Sequence, residues 1–133
     1  MLKPCRRRKR SNDLYTALHL QMEYCAELFK LDLMLLADAS GMAVVSTRPS
    51  DVSDVVASYG PLLARNHFRD NRSEIMASLQ QHIGAHAGLV EVRRFQIAGE
   101  DYYICTLGGV GARNELAMHR AVNGVRRIVG LLP

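Results

Sequence analysis

Two histidines four residues apart, His82 and His86, are the first residues whose types and spacing suggest chemistry. On a helix that spacing turns both imidazoles to one side, where they could share a metal ion. Gly84 and Gly88 weaken such a helix, no third ligand stands nearby and the zincin glutamate is missing, so histidines flanking a hairpin are the favoured reading. The glycine-rich LGGVGAR, residues 107–113, falls between a predicted strand and a predicted helix, where backbone N–H groups could meet a phosphate. It has neither the Lys and Ser/Thr of a P-loop nor the full G-x-G-x-x-G spacing, and a plain turn is the favoured reading. Asp38 reads as a turn former rather than a catalytic acid, and His119 as a surface or half-buried residue to which no Ser or Cys nucleophile can be tied. Cys25 and Cys105 fall on predicted apolar faces, as core thiols do. Cys5 stands among positive charges that favour its thiolate, open to oxidation or lipidation, although an incidental thiol is the favoured reading. With no nucleophile, metal set or cofactor motif assembled, the chain is expected not to be an enzyme and to carry no cofactor.

The elements that must position these residues are set by composition and period. At 133 residues and 48% hydrophobic the chain fits one domain with a core large enough to fold without metal or disulfide support. Three cysteines with no C-x-x-C spacing point to a reducing, cytoplasmic setting. The net charge of +4 is unevenly spread: residues 1–10 hold six of the 17 basic residues and no acid, so 11 basic residues face 13 acidic ones in the remainder. Residues 1–12 are therefore expected to form a disordered basic arm, in which Arg6, Arg7, Arg8, Lys9 and Arg10 could touch an anionic membrane or nucleic acid weakly and without specificity. The arm carries no interleaved aromatics for stacking on bases. The stretch SNDLYTALHLQMEYCAE, residues 11–27, is too polar for the apolar core of a secretory signal, and no apolar run reaches the length of a membrane span, so a soluble, unprocessed chain is expected.

Ser11, Asn12 and Asp13 are three successive cap candidates, and Leu14, Leu18, Met22, Cys25 and Phe29 then recur at helical spacing to about Lys30. The run from Leu33 to Ala37 predicts a covered strand, the corner Asp38 to Gly41 a turn with Gly41 at positive φ, and Met42 to Thr47 a returning strand. Ser50 or Asp51 can cap a second helix bearing Val52, Val55, Val56 and Tyr59, with a kink or restart expected at Gly60 and Pro61. Ile75, Met76, Leu79 and Ile83 have helical spacing, although part of residues 67–86 also suits a strand. A second hairpin joins the alternating 89–98 to Tyr102–Leu107 through Gly99, Glu100 and Asp101, and a last helix carries Leu116, His119 or Arg120, Val122 or Asn123, Ile128 and Leu131. Hairpins separated by helices predict an α+β fold: an antiparallel sheet with the first and last helices on one face and the second on or beyond the other.

The order of elements and the stretch LMLLADASGMAVVST, with Asp38, Gly41, Val44 and Ser46 in a D-x-x-G-x-x-V-x-S pattern, resemble the Roadblock/LC7 domain. The helix opening SDVSDVVAS and the late hairpin with its closing helix extend the resemblance over roughly residues 13–131, close to the single domain, residues 13–133, that the chain is expected to form. The resemblance implies an α/β sandwich of profilin-like or Roadblock topology, with a central antiparallel sheet of about five strands and helices on both faces. It also implies a noncatalytic scaffold, homodimeric or paired with a second Roadblock protein, whose sheets join edge to edge across paired helices. Bacterial members of the polarity-regulator type act on a small Ras-like GTPase, so a small GTPase is the implied partner. On that geometry the second helix is the dimer face, with Val52, Val55, Val56, Tyr59 and Leu63 as apolar contacts, although some of them equally suit covering the sheet. Two other readings stand beside it: a small-molecule sensor or interaction module of profilin-like or longin-like kind, and a nucleic-acid or membrane-associated protein led by its arm.

Overall fold

The computed structural model describes the backbone of residues 3–65, 71–84, 89–109 and 112–130, and the side chains of the same residues except 3–12, 112 and 113. Its elements are α1 (Lys3–Leu28), β1 (Leu33–Asp38), β2 (Ala43–Ser46), α2 (Asp51–Arg65), α3 (Arg72–Ile83), β3 (Val90–Ile97), β4 (Glu100–Leu107) and α4 (Ala112–Gly130). The first helix thus begins well before the expected caps, at Lys3. Lys and Arg are good helix formers, and Pro4 falls in the first turn, where an N–H has no helical acceptor to lose. The side chains of the expected arm, Arg6 to Arg10 and Cys5 included, lie outside the described residues.

The α1 stripe is the predicted one: Leu18, Met22, Cys25 and Phe29 are buried, with Leu14 packed beside them. Lys30, at φ 55°, stops the helix, and the bonds Leu31 N–H to Ala26 O (2.8 Å) and Lys30 N–H to Glu27 O (3.3 Å) close its last carbonyls. The chain therefore turns directly into β1.

Both hairpins form. In the first, Asp38 Oδ1 accepts from the Ser40 amide (2.9 Å), the Ser40 hydroxyl (2.6 Å) and the Met42 amide (3.1 Å), and Gly41 takes φ 84° as expected. The pairing shifts between Leu36, opposite Val45, and Ala37, opposite Ala43, so Val44 is an extra bulge residue. In the second, the turn lies one residue earlier than predicted: Ile97 pairs with Glu100, and Ala98 and Gly99 both have positive φ, the geometry a two-residue hairpin needs.

The hairpins join through β1 and β4, giving one antiparallel sheet in the order β2-β1-β4-β3. Among the described residues the sheet has four strands, not about five. Residues 72–83, which left room for a further strand, are the helix α3, closed by Gly84 at φ 71°. The spacing of Ile75, Met76, Leu79 and Ile83 is what decides it, because only a helix turns all four toward one side.

Successive strand residues serve different clusters. Met34 and Leu36 pack with Met22 and Cys25 of α1 and Ala121 and Val125 of α4. Leu33, Leu35 and Ala37 pack with Val56 and Leu63 of α2 and Leu79 and Ile83 of α3. Each buried side chain of this size contributes about 1.5–3 kcal/mol relative to an exposed one. In α4 the buried apolar side chains are Ala117, Met118, Ala121, Val122 and Val125, which leaves Leu116, expected inside, nearly half exposed.

Candidate interaction surface

Ser50 caps α2, its hydroxyl accepting the Ser53 amide at 3.2 Å, and Asp51 and Asp54 add negative charge where the helix dipole favours it. The helix then runs through Gly60 and Pro61 without the expected restart. A helical proline costs about 3 kcal/mol, and here burial on both sides of it, at Val56 and Ala57 before and Leu63 after, offsets that cost. Gly60 serves the same packing: a Cβ built there would lie 3.0 Å from Cys105 Sγ on β4. A further tie is the buried hydrogen bond from the Ser53 hydroxyl to Ser46 Oγ, 2.7 Å, between α2 and β2.

This anchoring divides the five residues predicted for the dimer face. Val56 and Leu63 are 0% and 1% exposed and belong to the core beneath α2, so they offer no surface to another chain. Val52 is exposed, and Val55 and Tyr59 are partly buried. With Leu62, also exposed, these three fall at i, i+3, i+7 and i+10 along one flank of α2. The Tyr59 hydroxyl lies 2.6 Å from Ser78 Oγ on α3, and its ring stands 6.3 Å from that of His82. Tyr59 is therefore held in place by α3 while one side of it meets solvent. Sequence periodicity finds this flank but does not separate it from the core side.

The residues that suggested chemistry are occupied by structure. Gly108 and Gly109 take φ 89° and 80°; the Gly108 amide donates to Leu89 O (3.2 Å) and its carbonyl accepts from Asn114 Nδ2 (3.1 Å). A Cβ at either glycine would collide, with Asp32 at Gly108 and with Asn114 and Leu31 at Gly109, so the pair is a close-packed turn. The hydrogen bonds to Asp38, first the Ser40 hydroxyl and then the amides of Met42, Ser40 and Gly41, hold its carboxyl below the usual range, as a turn former requires. Cys25 and Cys105 are buried and free, burial pushing the Cys105 thiol up to about 12. His119 is exposed and lies 3.2 Å from Asn123 Nδ2. His82 is exposed on α3, and His86, its suggested co-ligand, lies outside the described residues.

Among the described residues no three of His, Cys, Asp and Glu gather as a metal set, and no helix is long and apolar enough to cross a membrane. A shallow cleft of about 210 Å³ opens at the end of α1, lined among others by Glu23, Glu27 and Asp32 and by Lys30 and Arg48. It is smaller than the ~300–1,000 Å³ usual for small-molecule sites and mostly polar in lining. Compared with known proteins, the chain matches no family model and no curated protein.

Proposed function

We propose that the chain is a noncatalytic dimeric scaffold or regulator of Roadblock/LC7 type that binds a small Ras-like GTPase in the cytoplasm. On this reading residues 13–133 are the domain, its sheet is covered by helices on both faces, and the dimer is formed with itself or with a second Roadblock protein. The observation that carries the reading is the α2 flank. Val52 and the uncovered parts of Val55 and Tyr59 present apolar surface on a helix whose adjoining side is locked to the sheet through Val56, Ala57 and the Ser53–Ser46 bond. A surface held that rigidly loses little entropy on association. The order of elements, with the two hairpins joined through β1 and β4, supports the same topology. Among the described residues the sheet departs from the resemblance in having four strands, with β2 and β3 at its two sides. The basic N-terminal residues, Arg6 to Arg10, would add at most a weak contact with an anionic membrane or nucleic acid.

The dimer face is tested by sedimentation velocity on the full chain and on a Val52→Asp/Val55→Asp variant. The reading predicts a dimer that the variant converts to a folded monomer; an unchanged dimer would place the contact elsewhere.

A further inference from the structure

We draw no further inference here: the strongest candidate, the exposed apolar stripe of Leu20, Tyr24 and Leu28 along the outer face of α1, carries none because nothing in the structure shows what covers it.

Discussion

The Ser53 hydroxyl donates to Ser46 Oγ at 2.7 Å, with both residues buried, and so fastens α2 to the edge strand β2. Ser46 Oγ also accepts the Arg48 amide at 3.2 Å, so the bond belongs to a short chain that ends the strand and aims the link to α2. Replacing Ser53 with alanine should lower the free energy of unfolding by about 1–3 kcal/mol, the cost of a buried group left without its partner. Urea unfolding of Ser53→Ala measures this, and no change would mean that water enters the site freely.

The core and the surface of α2 should respond differently. Leu63→Ala should cost about 2–5 kcal/mol in urea unfolding, since its side chain fills the space between α2 and the sheet. Val56→Asp should prevent folding altogether, because a carboxylate there has no water and no partner. Val52→Asp should leave stability within about 0.5 kcal/mol. If Val56→Asp gave a stable folded chain instead, the placement of α2 would be wrong.

That contrast marks how far the residues alone can be read. The α1 stripe, both hairpins, the Asp38 turn and the positive φ of Gly41 are legible from short-range pattern, because the period of apolar residues and the chemistry of turns are local. Which of Val52, Val55, Val56, Tyr59 and Leu63 faces the sheet depends on the rotation of α2, and that rotation is set by distant residues, Cys105 and Tyr103 against Gly60 and Ser46 against Ser53. The uninterrupted helix at Pro61 has the same origin, since tertiary burial outweighs a local penalty. Periodicity misplaces Leu116 because α4 has two plausible apolar phases, and only the approach of Gly124 to Gln21 selects one.

Gly41 should tolerate no side chain. Its φ of 84° is strained for any L residue, and a Cβ would lie 3.2 Å from Ser58 Cα and 3.3 Å from Ser58 O. Gly41→Ala should destabilise by at least about 1–2 kcal/mol, read from thermal or urea unfolding; a neutral effect would mean that the turn shifts away from α2.

Asp38 should make the protein sensitive to acid. Its folded pKa is lowered by the Ser40 hydroxyl and the turn amides, so its contribution is fully present above the unfolded value of about 3.9 and is lost as pH falls through the folded value. Asp38→Asn should therefore flatten the decline in stability below about pH 4, as followed by urea unfolding at stepped pH. Equal slopes in the two proteins would show that other carboxylates set the acid limit.

Native thiol labelling should spare both core cysteines. Cys25 has its thiol pushed up by burial, and Cys105 stands at about 12. Iodoacetamide under mildly alkaline conditions followed by peptide mass spectrometry should leave both unmodified until the protein is unfolded. Rapid labelling of Cys105 in the native protein would show that the contact of α2 with β4 opens readily.

The central claim, that this is a scaffold for a small GTPase, is tested most directly by capture. Tagged full-length protein is incubated with host lysate loaded with GDP or with a nonhydrolysable GTP analogue, and the bound proteins are identified by mass spectrometry. The account predicts a small GTPase retained in one nucleotide state and not the other. Absence of any GTPase in both states would contradict it.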